Sequence, residues 1–154
     1  MSEIEERPVD EALAFRVRVS ADPGDIDALG HVSNITYVRW LQDAAALHSA
    51  AVGLELADYL RLGGVFVVRR HEIEYFAPAF DGDVITLTTW VSYTRGARSL
   101  RCTRIEREDG TLLVRAGTLW AYLARETGRP TRVPDAVIKA FQMPVADMLG
   151  ASIA

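Results

Sequence analysis

The stretch Asp25-Ile26-Asp27-Ala28-Leu29-Gly30-His31-Val32-Ser33-Asn34 brings two carboxylates, an imidazole and two small polar side chains close together in the chain. Carboxylates ahead of a helix can attack a carbonyl. One acts as the oxygen nucleophile or as a base for water, and unpaired N–H groups at the helix start take up charge on the carbonyl oxygen. Asp25 and Asp27, in a loop with Pro23 and Gly24, also have a plainer role as turn and cap formers. Gly30 allows a positive φ or the close approach of a ligand. His31 can tune Asp27 or orient a substrate, or serve as a structural hydrogen bonder. Asn34 reads equally as a helix cap and Tyr37 as a core aromatic, and either could line a pocket.

Further polar candidates lie downstream. Asp43 follows Arg39 at the spacing of a surface ion pair on a helix. Arg69 and Arg70 precede His71 in a strand-like run, where neighbours should face opposite sides, so one of them could meet an anion while the other only solvates an edge, and alternation does not say which. Arg95 and Arg98 flank Gly96 in a turn that suits a phosphate. His31, His48, His71 and Cys102 lack metal-ligand spacing, so neither a metal nor another cofactor is expected. The chain shows no Walker loop, dinucleotide fingerprint or G-x-S-x-G elbow.

The elements that must hold these residues follow from periodicity. Residues 14–20 alternate Phe15, Val17 and Val19 with Arg16, Arg18 and Ser20, which predicts a half-buried strand. A turn-rich loop leads to a helix from Ile35 to about Val52, capped by Ser33 or Asn34, apolar over most of its circumference and stopped by Gly53. Leu54 to Leu62 suggests a short second helix before Gly63-Gly64. Runs at 64–76, 83–94, 98–107 and 111–125 are rich in Val, Ile, Thr, Tyr and Trp, with Asp81-Gly82, Arg95-Gly96 and Asp109-Gly110 between them. Such short links predict an antiparallel meander of consecutive neighbours. Asp135–Phe141 suggests a last short helix after Pro134. Strand, long helix and then four strands make an α+β domain, with several strands apolar on both faces as if a second subunit covered one side.

The bulk numbers agree. At 154 residues the chain fits one domain, read as residues 13–154 behind an acidic leader of residues 1–12. Roughly 68–70% of the unfolded surface can be buried at this size, so no staple is required. Seventeen basic against 21 acidic residues give a net charge of −4, the wrong sign for nucleic acid or an anionic membrane. One cysteine, an acidic start and no long apolar run point to a soluble cytoplasmic protein without membrane insertion.

Two motifs carry a family resemblance. The pattern Asp25-x-Asp27-x-x-Gly30-x-Val32-x-x-x-x-Tyr37 resembles a stretch of the 4-hydroxybenzoyl-CoA/acyl-CoA thioesterase family of hot-dog proteins. Val68-Arg69-Arg70-His71 through Tyr75-Phe76-Ala77-Pro78-Ala79, then Asp83, is similar to the strand and turn after the central helix in bacterial acyl-CoA thioesterases of that group. The likeness runs from Phe15 to Phe141. It implies a hot-dog fold, an antiparallel five-stranded sheet wrapped around a long central helix, with copies paired edge to edge and the pocket at their interface.

The resemblance also implies roles. Asp27 becomes the catalytic carboxylate and Asp25 a structural one, with Gly30, His31, Ser33, Asn34 and Tyr37 polarising the carbonyl or positioning substrate. Arg69, Arg70, Arg95 and Arg98 become candidates for CoA. Asp43 is the reserve carboxylate, because a second hot-dog lineage carries its acid on the central helix. The expected reaction turns an acyl-CoA or acyl-carrier-protein thioester into a carboxylic acid and free thiol, in a homodimer or homotetramer. Two rival readings are a hot-dog hydratase or dehydratase, whose motifs differ from this one, and a non-catalytic acyl-thioester binder.

Overall fold

The computed structural model describes residues 9–150. Its elements are β1 (Phe15–Ser20), a 3-10 turn (Pro23–Asp25), α1 (Asn34–Ala51), α2 (Leu56–Leu62), β2 (Gly64–Tyr75), β3 (Val84–Arg95), β4 (Arg98–Arg107), β5 (Leu112–Ala124) and α3 (Asp135–Ala140). Local chemistry explains the helix ends. Ser33 Oγ accepts from Thr36 N–H at 3.2 Å and so caps α1, while Gly63 closes α2 in the left-handed region at φ 91°.

The strands form one five-stranded sheet in the order β1-β3-β4-β5-β2, antiparallel at every pairing. The expected meander holds only for β3, β4 and β5. β2 pairs with β5 instead of β3, because the link 76–83 crosses to the far side of the sheet. Asp81-Gly82 accordingly is no β2–β3 hairpin: Gly82 N–H donates to Ala21 O at 2.9 Å, and Ala21 N–H donates to Asp83 O at 2.9 Å, docking the link on the end of β1.

α1 lies across the sheet. Tyr37, Trp40, Leu41 and Ala44 pack with Val19, Ile85, Leu87, Ile105, Val114 and Ala116 in the main core. Each of the Leu, Ile and Val side chains contributes about 1.5–3 kcal/mol by leaving water. The helix is less buried than its apolar circumference suggests: a stripe from Thr36 to Ser49 is covered, while Ile35, Gln42, Ala46 and Ala50 are exposed. This is the hot-dog arrangement, a sheet curled around one long helix. Trp90, Leu100 and Cys102 form a smaller cluster with Val9, which lies in the stretch read as leader; the first eight residues of that stretch fall outside the described residues. No described helix is long and apolar enough to cross a membrane.

Candidate active site

The loop ahead of α1 folds back on itself. Ile26 and Val32 form an antiparallel bridge, and Asp27 N–H donates to His31 O at 2.8 Å. Gly30, at φ 81°, makes the reversal possible; the space around its missing side chain is open, so its value here is conformational. Asp27 is exposed, and its Oδ1 accepts from Leu29 N–H at 2.9 Å and His31 N–H at 3.3 Å. Oδ2 has no partner among the described residues. The result is a carboxylate held in one orientation with one oxygen free for substrate or water.

Asp25 has the opposite surroundings. It is buried, with Oδ1 2.7 Å from Arg39 Nη2 and Oδ2 accepting from Asp22 N–H at 3.0 Å. Its backbone oxygen accepts from Ser33 N–H at 2.9 Å, so it ties the loop to the start of α1. Helix geometry leaves the N–H groups of Asn34 and Ile35 with no partner inside the helix, and Ser33 Oγ serves Thr36. Two donors with no partner among the described residues, and the positive end of the helix dipole, therefore stand at the end of the Asp27 loop.

A cavity of about 480 Å³ opens farther along α1, within the range of about 300–1,000 Å³ usual for small-molecule pockets. Ala46, Ser49, Tyr59, Phe66, Arg101 and Trp120 are among its walls, and none of the residues expected from sequence lines it. With a rise of about 1.5 Å per residue, its nearest α1 residue, Gln42, lies about 12 Å along the axis from Asn34.

The Thioesterase-like superfamily model matches residues 21–141, which covers the loop, α1 and the whole sheet except β1. The chain belongs to this superfamily. It is 27% identical over 139 residues to the chloroplastic palmitoyl-acyl carrier protein thioesterase of Arabidopsis thaliana, covering 85% of this chain but 34% of that one. It thus spans about a third of the length of such plant relatives. The acyl-CoA thioester hydrolase YbgC of Escherichia coli is 27% identical over 132 residues, with 83% of this chain and 96% of that one covered. In fold, the chain resembles Slr0204, a 1,4-dihydroxy-2-naphthoyl-CoA thioesterase from Synechocystis, with a TM-score of 0.77, 21% identity and coverage of 84% and 96%.

The other expected residues of this superfamily member are scattered. Tyr37 is a core residue: its ring meets Trp40 at 5.6 Å and Tyr75 at 5.7 Å, and burial, then Tyr75, pushes its phenol up to about 12. Asn34 occupies the first helical position and is exposed, leaving the cap to Ser33. The His31 ring packs edge-on against Phe80 at 5.4 Å, so its bonds to Asp27 come from the backbone. Arg39 pairs with Asp25, where an Asp43 partner was expected; burial raises the Asp43 carboxyl while Arg39 opposes the rise. Arg69 is the extra residue of a bulge between Val68 and Arg70, which breaks the expected alternation of faces, and both arginines are exposed. Arg95 stacks over Tyr93 at 4.7 Å and pairs in register with exposed Arg98. Register sets Leu100 opposite Leu119 and Leu119 opposite Arg70, so Arg70 lies two strands from β4 and two residues along from Arg98, roughly 12 Å from it, with Arg95 one strand farther away.

Sequence reasoning missed Arg39, His48 and Arg101. Arg101 alternates with Ser99 and Thr103 on one side of its strand, which reads as a solvated face; it is buried beneath α1. Its only local signal was the apolar Ile105 on that same side.

Proposed function

We propose that this chain hydrolyses an acyl thioester of CoA or of acyl carrier protein, giving a carboxylic acid and a free thiol, with Asp27 as nucleophile or as general base on water. The observation that carries the reading is the exposed Asp27 carboxylate, clamped through Oδ1 by Leu29 and His31 N–H, beside the unpaired N–H groups of Asn34 and Ile35. Those donors suit the oxygen of a thioester carbonyl as negative charge builds on it. As nucleophile, Asp27 would form an anhydride with the acyl group and expel the thiolate, and water would then open the anhydride. As base, it would take a proton from the attacking water. In this reading the cavity along α1 receives the acyl group, and Arg69, Arg70, Arg95 and Arg98 are the candidates to meet the phosphates of CoA.

The working unit in this reading is a cytoplasmic homo-oligomer. β2 is a 12-residue strand with no neighbour on its outer side among the described residues, and such an edge invites pairing with a second copy. Leu29 and Ile35, 79% and 82% exposed beside the Asp27 loop, are apolar surface that a second subunit would cover.

The test is release of free thiol from short, medium, long and aromatic acyl-CoAs and acyl carrier proteins, with molar mass measured on the same sample. Turnover by an oligomer upholds the reading. An absence of hydrolysis across both carriers, with crotonyl-CoA hydrated, would replace it with a hydratase.

A further inference from the structure

Arg101 lies in the middle of β4, 5% exposed, under α1. A buried guanidinium is ordinarily matched by a carboxylate, because its charge is costly to keep away from both water and a counter-ion. Here the partners are neutral. Nη1 donates to His48 Nδ1 at 2.9 Å and to Thr89 Oγ1 at 3.0 Å, and the Phe141 ring lies 5.5 Å from Cζ. Burial, then the Arg101 charge, pushes His48 down to about 3, so its imidazole is uncharged and acts as an acceptor. Arg101 itself is lowered only to about 10 by burial and keeps its charge at neutral pH.

Nε and Nη2 have no acceptor among the described residues, and Arg101 lines the cavity. The other cavity groups do not fill the gap. Ser49 Oγ is committed to Leu54 O and the Tyr59 hydroxyl, each at 2.7 Å. Glu55, the one carboxylate among the lining residues, is exposed at the start of α2 and makes no ion pair with Arg101. Most of the remaining wall is apolar, including Ala45, Phe66, Trp120 and Phe141. A fixed positive charge with spare donors in an otherwise largely apolar cavity is a receptor for an apolar ligand that ends in an anion.

We infer that the cavity binds the far end of an acyl group carrying a terminal carboxylate, with Arg101 Nε and Nη2 as its donors. This rests on the thioester-hydrolase reading above and narrows its substrates to ω-carboxyacyl thioesters. Arg101 is then a specificity-determining residue, remote from the Asp27 loop and untouched by the bond that breaks.

The experiment compares acyl-CoAs of equal chain length that end in a carboxylate or in a methyl group and are long enough to run from the start of α1 to His48, about 21 Å along its axis, such as hexadecanedioyl-CoA and hexadecanoyl-CoA. The wild type is expected to favour the carboxylate by about tenfold or more in kcat/KM, the scale of one charged hydrogen bond in a closed site. In Arg101→Met the ratio should collapse to about one or below, and Arg101→Lys should restore part of it. A purely structural Arg101 would change both substrates together and leave the ratio alone. Equal use of both substrates by the wild type, or a ratio unchanged in Arg101→Met, overturns the inference.

A second arm does not depend on hydrolysis: calorimetric titration of the wild type with octanoate and with octanamide. Selective binding of octanoate that is lost in Arg101→Met supports the site even if no thioester is cleaved, which would sink only the hydrolase reading. Equal binding of the two, or no binding of either, counts against the charged receptor. Should Arg101→Met fail to fold, Ala46→Trp blocks the cavity from an exposed position on α1, and octanoate binding that survives it overturns the assignment.

Discussion

Asp25 and Asp27, separated by a single residue, have opposite environments: Asp25 is closed off from solvent 2.7 Å from Arg39, while Asp27 stands in the open and bonds only to its own loop. The bridge between Ile26 and Val32 makes this segment extended. Burial of Asp25 against α1 spends one carboxylate on holding the loop, which leaves the other accessible and held by two backbone N–H groups.

Asp27→Asn should separate chemistry from structure. The amide oxygen can still accept from Leu29 and His31 N–H, so the loop is kept and the melting temperature should move by less than about 2 °C. Thioester hydrolysis should fall by at least about 100-fold in kcat. Asp43→Asn, measured beside it by thiol release, should stay within about threefold of wild type. A larger loss in Asp43→Asn would move the catalytic carboxylate onto α1.

Asp25→Ala should weaken the fold. It removes the ion pair with Arg39 and the acceptor for Asp22 N–H. The Arg39 side chain is 57% exposed, so solvent screens the pair, and the total loss should be about 1–3 kcal/mol. Urea unfolding would read it as a lower midpoint at unchanged slope. An unmoved midpoint would mean that the pair holds nothing in place.

Gly64→Ala should damage the start of β2. A Cβ there would sit 2.5 Å from Tyr122 Cζ and 2.7 Å from the backbone oxygen of Leu123, across the β2–β5 ladder. Overpacking of this kind costs about 1–3 kcal/mol. Thermal melting should show the drop, and wild-type stability would show that the strand can shift at no cost.

His48 should give the protein an acid-sensitive component. It stacks on Phe15 at 5.1 Å, meets Phe141 edge-on at 5.2 Å and accepts from Arg101, with a pKa held near 3 in the fold against 6.5 in the open chain. Between those values the unfolded chain binds a proton that the folded one refuses. Stability from this group is therefore full above about pH 6.5 and is lost as pH falls toward 3, at about 1.4 kcal/mol per unit. His48→Gln keeps an acceptor for Arg101 and removes the titration. Between pH 7 and pH 5 the wild type should lose about 2 kcal/mol more than the variant in urea unfolding. Equal losses would show that His48 does not titrate against the fold.

Much of this was legible in the sequence because its signals are local. Alternation of Phe15, Val17 and Val19, the capped run after Ser33 and the Gly-bearing turns at Gly96 and Gly110 are decided by residues a few positions apart, and the corresponding elements match. The Asp27 loop stood out for the same reason, and its motif resembled the family to which the chain belongs.

What the sequence could not hold is the outcome of contacts between distant segments. Link length suggested that β2 would neighbour β3, but the core favours β2 beside β5 and docks Gly82 on Ala21. Tyr37 and Arg39, two positions apart, end in the core and on Asp25 because the helix turns about 100° per residue against a fixed sheet. Arg101 shows the limit most clearly. Sequence determined that a charge sits on one face of β4; only the packing of α1 over that face decided that the charge would be buried, uncountered and turned into the wall of a cavity.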